Sequence, residues 1–533
     1  MSGAGVLAES CQLNSTVESG DELLSGTKRA VKVESKMNLQ EILRGIPVAR
    51  VSPNRGTEIP VAAIACDSRT VQPGTLFFAL PGAKADGNQF VGAAIQAGAI
   101  AVASPLMRPV KTPAAIEWIE LEPGTERRAL ALAAANFYGH PAAALQLVGV
   151  TGTNGKTTIT FIMDSILHAA GFTTARIGTT GYQTPAGARK AKNTTPESLD
   201  LQEMFAEVRD AGGTHAVMEV SSHALAMDRV WGCHFAAAIF TNLTRDHLNF
   251  HKTFEDYFAA KKILFEGTGN GAPDCAIVNA DDPYAQRLEG LAKRTLTYGL
   301  NDSADLSAKK ISLSFSGLEF TAHTPAGKFD VRAPLVGRIN VYNILAAIGA
   351  ALSLDISVEK IEQGIRTLEQ VPGRFQRIDE GQPFLVVVDY AHADDALRNL
   401  ISTARELNPS GRIITLFGAG GERDRSTRPP MGEAAGSLSN LVILTSDNPR
   451  TEDPLRIIND LVVGLQKVNA NYRVEPDRET AIEMAIDEAR AGDIVLLAGK
   501  GHEDYQITRG GTEHFDDREV SRRILRRKGY SKQ

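Results

Sequence analysis

Residues 147–167 read LVGVTGTNGKTTITFIMDSIL: apolar β-formers, then small polar residues around glycines, then an apolar-periodic run. This predicts a strand, a tight loop and a helix. In VTGTNGKTT the glycines let backbone N–H groups approach an anion, and the following helix adds the positive end of its dipole. Lys156 supplies a mobile cation, and the Thr157 hydroxyl suits magnesium. Gly152, Thr153, Asn154, Gly155, Lys156, Thr157 and Thr158 are therefore assigned to nucleotide phosphates. The loop is a variant, because the P-loop pattern wants glycine where Val150 stands, and Gly152 comes two places later. A plain Gly/Asn turn is the alternative; the agreement of both flanks with the GKT core argues against it.

Outward from this stretch, strand-like runs LQLVGVTG, HAVMEVSS, FAAAIFTNL and CAIVNADD alternate with helical ones, predicting a doubly wound parallel sheet in a central domain, 144–370. After EQVPGRFQ the alternation restarts with FLVVVDYAH, RIITLFGAG, LVILTSDNP and DIVLLAGKG, a C-terminal Rossmann-like α/β domain over 371–533. Short strands such as TLFFALPG alternate with Ala-rich helical runs in a small N-terminal α/β domain, 37–143. Three domains suit 533 residues. Ligands are expected beyond the carboxyl ends of the strands, where each run closes on Gly, Asp, Asn or His.

A net charge of −6 gives no electrostatic case for nucleic acid or an anionic membrane, so small-molecule partners are expected. The apolar run FVGAAIQAGAIAVASPLM is divided by Gln96, Gly98 and Pro105 into a short helix, a stop and the strand AIAVAS, not a membrane span. The four cysteines form no CxxC pair, which points away from a disulfide framework or thiolate zinc site and toward a reducing cytoplasm. Residues 1–36 lack periodicity and read as a disordered tail; MNLQEILRGI is the first amphipathic pattern, making Met37 a candidate initiator.

Laid on a helix, FEDYFAAKKILF puts Phe254, Tyr257, Phe258, Leu264 and Phe265 on one stripe with Lys261 at its centre and Lys262 toward its edge. A cation there must snorkel, pair with an acid or take another chemical form. Glu219 and His247 read as strand-end polar residues, and His247 alone reads as a hydrogen-bonded histidine. NTTPESLD reads as a helix start with Thr195 as N-cap and Pro196 at the first helical position. SDNPRTEDP reads as a proline-fixed turn with a solvated arginine.

The loop GTNGKTT resembles the ATP-binding loop of the Mur ligase family, which joins amino acids to the peptidoglycan precursor. MEVSSHALAMDR, TNLTRDHLNFH, DYFAAKKILF, VPGRFQ, VDYAHADDAL, FGAGGERDRSTRP, SDNPRTEDP and AGKGHEDYQ follow in the family's order. The resemblance implies an ATP-dependent amide ligase that adds meso-diaminopimelate to UDP-N-acetylmuramoyl-L-alanyl-D-glutamate through an acyl phosphate; a monomer in the cytoplasm is expected. It implies that Lys156, Glu219, His247 and Lys261 are catalytic, with Asn343 and Arg374 joining the loop around ATP. One magnesium would lie between Thr157, Glu219 and ATP, and a second near Glu219, His247 and Lys261, the lysine being carbamylated by carbon dioxide.

The same resemblance places Asn193, Thr194, Thr195, Ser221 and Arg229 on the muramoyl-peptide substrate, and Ser68 with Ala83, Lys84 and Ala85 on its uridine nucleotide. It assigns Arg423, Asp447, Asn448, Pro449, Arg450, Gly499 and Glu503 to diaminopimelate. Arg450 offers a planar fork for the distal carboxylate that lysine lacks. Met227 stands where some members have glutamine, which removes a polar contact, and Asp394 where members commonly have proline; an acid suits a helix's first turn. An L-lysine-adding ligase, a folylpolyglutamate synthetase and a non-ligating nucleotide switch are the competing functions.

Overall fold

The computed structural model describes residues 37–52, 56–82 and 86–532. The tail expected over 1–36 and the Ala83–Ala85 turn lie outside the described residues. Among the described residues three large sheets, of five, eleven and six strands in chain order, are accompanied by two two-stranded ones, giving the expected three-domain α/β architecture.

The eleven-stranded sheet is built around Gln146–Thr151, flanked in parallel by His215–Glu219 and Ala237–Phe240. Thr174–Gly178 continues it in parallel on one side, Cys275–Asn279 and Arg294–Gly299 on the other. An antiparallel hairpin, Gly181–Thr184 with Gly187–Arg189, extends one edge, and a meander from Leu306–Ser314 to Gly327–Ala333 extends the other. The central strands are apolar throughout because both faces are covered. Successive residues feed opposite cores: Val148 and Val150 meet Ile159, Ile162 and Ile166 of the helix Lys156–Ala169, whereas Leu147 joins Leu201, Met204 and Phe205 of the helix Ser198–Asp210.

The C-terminal sheet repeats this logic. Leu385–Asp389, Ile494–Ala498, Ile413–Phe417, Leu441–Leu444 and Tyr472–Val474 run parallel in that spatial order, with Gln376–Ile378 antiparallel at the edge. In the first domain the short helix Val91–Gln96 and strand Ala99–Ser104 are separated at Gly98, as its sequence suggested. Gly98 has φ +106°, and a Cβ there would stand 2.8 Å from Pro73 Cα. Among the described residues no helix is long and apolar enough to cross a membrane.

Two local expectations are corrected. Thr195 does not cap a helix: the helix starts at Ser198 with Glu197 at its N-cap. The Thr195 hydroxyl is committed elsewhere, donating to the Glu219 carbonyl at 2.8 Å and accepting from the Ser221 N–H at 3.0 Å. His247 is not at a strand end either. The strand stops at Phe240, and His247 precedes a four-residue helix, Leu248–His251, with φ 55°.

Candidate active site

The loop between Thr151 and Lys156 is shaped by two glycines that admit no side chain. Gly152, at φ +139°, would put a Cβ 1.8 Å from the Thr241 hydroxyl, and Gly155, at φ +91°, would put one 2.5 Å from the Asn343 side chain. Lys156 donates to the carbonyls of Gly152 and Thr153, both at 2.9 Å, and burial holds its pKa below the usual lysine value. The Asn154 N–H is fixed by Asn242 at 3.0 Å, and its side-chain amide donates across to Asp395 of the C-terminal domain at 3.1 Å. Thr158 and Asn343 line a separate, smaller slot of about 110 Å³, together with Asn154, Gly155 and Arg374.

At the next strand end, Glu219 is 1% exposed. It accepts from the Thr157 hydroxyl at 2.9 Å and from the N–H and hydroxyl of Thr179 at 2.8 and 3.1 Å. The approach depends on Gly178, whose Cβ would stand 2.3 Å from the carboxylate. Arg374 also donates to the Thr157 hydroxyl, at 3.1 Å.

Lys261 falls on the buried face of the helix Phe254–Glu266, whereas Lys262 reaches out to Glu266 at 2.7 Å. At 2% exposure Lys261 does not snorkel. Its Nζ donates to the Gly152 carbonyl at 2.8 Å and lies 4.4 Å over the Tyr257 ring; among the described residues no carboxylate pairs with it. Burial, reinforced by the Lys156 charge, pushes its pKa well below the usual lysine value. His247 stands nearby, 3.3 Å from Asp246, and burial holds its ring pKa down to about 3 despite that carboxylate. Among the described residues, no three His, Cys, Asp or Glu side chains are grouped as a ready metal site. Thr157 and Glu219 nonetheless present hard oxygens side by side, which suits a magnesium ion that keeps waters and phosphate oxygens as its other ligands.

The segment 193–195 crosses this end of the sheet. Tyr182 holds the Asn193 carbonyl and N–H at 2.6 and 3.1 Å, Thr194 accepts from Thr179 at 3.2 Å, and Arg229 donates to the Thr195 carbonyl at 3.0 Å. Ser221 caps the short helix Ser222–Ala226. Ser68 opens a 3₁₀ turn, Ser68–Thr70, shortly after the first domain's strand Ala63–Ala65.

One cavity of about 360 Å³ joins the two domains. Its central-domain wall carries Lys156, Thr157, Thr194, Glu219, Ser221 and His247; its C-terminal wall carries Arg374, Arg423, Asp447, Asn448, Arg450, Gly499 and Glu503. Gly152, Thr195, Asn193, Arg229, Lys261 and Pro449 are not among its lining residues. Arg450, at φ 55°, is braced through its guanidinium on the Gly421 carbonyl at 2.8 Å. Gly499 leaves room for Asp447, whose carboxylate would be 2.7 Å from a Cβ there. Asn448 donates to Glu503 at 2.9 Å, and burial together with the Asp447 charge raises the Glu503 pKa.

Sequence reasoning missed Thr179, Asp246, Tyr390 and His392, all lining the cavity. Thr179 directly follows the strand Thr174–Gly178, so the strand-end rule could have found it. The others stand beside residues already singled out or in loops whose direction only the fold sets.

A phosphate-type loop faces a wall of arginine, asparagine and carboxylate side chains across one cavity, and the comparisons agree on the class this defines. Three family models match: Mur ligase family, catalytic domain at 60–115; Mur ligase middle domain at 150–351; and Mur ligase, glutamate ligase domain at 373–501. The chain belongs to the Mur ligase family. Among its relatives is the UDP-N-acetylmuramoyl-L-alanyl-D-glutamate--2,6-diaminopimelate ligase of Solibacter usitatus (strain Ellin6076), 54% identical over 93% of this chain and 99% of that protein. The enzyme of the same name from Thermosynechococcus vestitus is 45% identical over 92% and 98%. A solved structure of a ligase of that name is 33% identical, covers 93% of this chain and all of its own, and superposes with a TM-score of 0.63.

Proposed function

We propose that this chain is the ATP-dependent ligase that adds meso-diaminopimelate to UDP-N-acetylmuramoyl-L-alanyl-D-glutamate in peptidoglycan precursor synthesis. The observation that carries this is the shared cavity: the phosphate loop and Glu219 on one wall face Arg450, Asp447, Asn448 and Glu503 on the other. The 54% identical relative of that name supports the same reading. The lining residues come from one chain, which supports a monomer, and a cytoplasmic location is part of the same proposal. The domain divisions at 143/144 and 370/371 are part of the proposal.

In this mechanism the γ-carboxylate of the D-glutamyl residue attacks ATP's terminal phosphorus, forming an acyl phosphate and releasing ADP. The diaminopimelate amine then attacks the acyl carbon, phosphate leaves, and the amine loses a proton. Lys156 and the loop N–H groups counter the charge on the transferring phosphoryl group. Thr157 and Glu219 would hold one magnesium, and Glu219, His247 and Lys261 a second, whose charge offsets repulsion between carboxylate and triphosphate. Thr194, Thr195, Asn193, Ser221 and Arg229 orient the muramoyl peptide, with Ser68 serving its uridine end. Arg374 and Asn343 hold the nucleotide from the second slot.

Lys261 is proposed to act as its carbamate. Its low pKa favours the neutral amine, whose nitrogen adds to the carbon of carbon dioxide and releases a proton, turning a buried cation into an anionic oxygen ligand. At the far end, Arg423 and Arg450 meet carboxylates, while Glu503 and Asp447 meet an ammonium group and Asn448 holds Glu503 in place.

ADP release tests this directly. Release should require both the UDP-linked dipeptide and diaminopimelate, and L-lysine should be a poor replacement. Arg450→Ala should reduce the preference for diaminopimelate about a hundredfold, the order expected when a buried charge-assisted pair is lost. Equal turnover on lysine would remove the substrate assignment, and ADP release with neither cosubstrate would favour a nucleotide switch.

A further inference from the structure

Lys500 has no part in the scheme above, yet it is fully buried at 0% exposure. It follows Gly499 at the end of the strand Ile494–Ala498, one of the strands whose ends form the amino-acid wall. Its Nζ donates to the Tyr505 carbonyl and lies 3.4 Å from Asn448 Oδ1 and 3.5 Å from Glu503 Oε2. Asn448 Oδ1 also accepts from the Ile507 N–H at 2.9 Å. With two donors on that oxygen, the amide has one sense only, and its Nδ2 must face Glu503, which it meets at 2.9 Å.

We infer that Lys500 is a positioning residue for the diamino acid: gripping Asn448 and the Glu503 carboxylate from behind, it fixes the acceptor that receives an ammonium group of the substrate. This rests on the functional reading above and adds a residue to it. A carboxylate that binds an ammonium ion has to be charged and aimed. Around Glu503 stand Asp447, which opposes its ionisation, Lys500, Arg478 and His392, and the hydroxyls of Tyr390 and Tyr505. Arg478 is committed to Asp517 at 2.6 Å, which leaves Lys500 as the buried cation in direct reach of Glu503 among the described residues. Without it, burial and Asp447 would drive the carboxyl further toward its neutral form, which binds an ammonium group poorly.

A merely structural role would have Lys500 tie down the Tyr505 carbonyl and nothing more. Lys500→Gln separates the two, because the amide keeps an N–H for that carbonyl and removes the charge. Steady-state ADP release across the neutral range would be measured for wild type, Lys500→Gln and Lys500→Met, varying each substrate in turn. Lys500→Gln is expected to raise the KM for diaminopimelate about tenfold near neutral pH and to move the acid limb of kcat/KM for that substrate up by about one pH unit. The KM values for ATP and the UDP-linked dipeptide should stay within about twofold, since the partners of Lys500 are Asn448, Glu503 and the Tyr505 carbonyl and none is assigned to either substrate. If Lys500→Met is insoluble, Lys500→Gln alone decides. An unmoved acid limb and unchanged diaminopimelate KM would overturn the inference, as would an equal loss for all three substrates. Wild-type turnover is the control: if it is absent, the functional reading fails first; if it is present, unmoved variants sink the Lys500 assignment alone.

Discussion

A lysine at the centre of an apolar helix stripe is the residue-scale anomaly of this chain. Lys261 has no route to water and sits close enough to Lys156 for the two ammonium charges to oppose each other. Two like charges in a buried site favour loss of one proton, and the neutral amine is the form that adds carbon dioxide. Native-state mass measurement under carbon dioxide should show one added carbon dioxide per chain, lost on acidification and absent from Lys261→Ala. An unmodified Lys261 in actively turning-over enzyme would end the carbamate claim. The anomaly was legible from spacing alone, because 3.6 residues per turn fixes which face a side chain occupies. Its resolution was not, since exposure and the nearest acid depend on what packs over the helix.

At the scale of elements, the strand ends build the site and a buried ion pair clamps them. Arg478, at the start of the helix Arg478–Glu488, pairs with Asp517 at the start of the helix Asp517–Arg527, both side chains being 0% exposed. Its guanidinium also donates to the carbonyls of Ser446 at 3.2 Å and Ala498 at 3.1 Å, the residues just before Asp447 and Gly499. Asp517→Ala leaves that cation buried and unpaired and is expected to cost about 3–5 kcal/mol of stability, read from urea unfolding. A loss below about 1 kcal/mol would mean that Arg478 finds water or another partner.

The strands themselves were readable, as apolar runs closed by polar residues. Thr195 and His247 were misread for one reason. A hydroxyl near a proline is a good cap locally, but here the Glu219 carbonyl and Ser221 N–H claim it. A histidine downstream of a strand carries no mark of how far the strand runs before the chain turns.

For the whole molecule, catalysis requires two domains to share a cavity, and a few polar contacts bridge them. Asn154 reaches Asp395, Arg374 reaches Thr157, and Lys190 in the loop after the edge hairpin pairs with Asp504 at 2.8 Å. The last pair is exposed and lies outside the substrate-facing residues, so it can be reversed without touching the chemistry. Lys190→Glu or Asp504→Lys alone should lower ADP release by about two- to fivefold at low salt, and the double reversal should restore it. The effect should fade at high ionic strength as the charges are screened. Single and double variants that behave alike would show that the pair does not help hold the domains together.

The sequence by itself determined the phosphate loop, the alternating strands and helices and the unusual place of Lys261, because glycine freedom, apolar periodicity and helix geometry act over a few residues. Only the tertiary structure decided that the Thr157–Glu219 wall and the Asp447–Glu503 wall enclose one cavity, and that Lys500 stands behind Glu503. The wall residues lie tens to hundreds of positions apart, and Lys500, three places before Glu503, is held against Asn448 from a distant part of the chain. These pairings exist because parallel sheets direct their carboxyl ends to one side, a consequence of packing that no local stretch encodes.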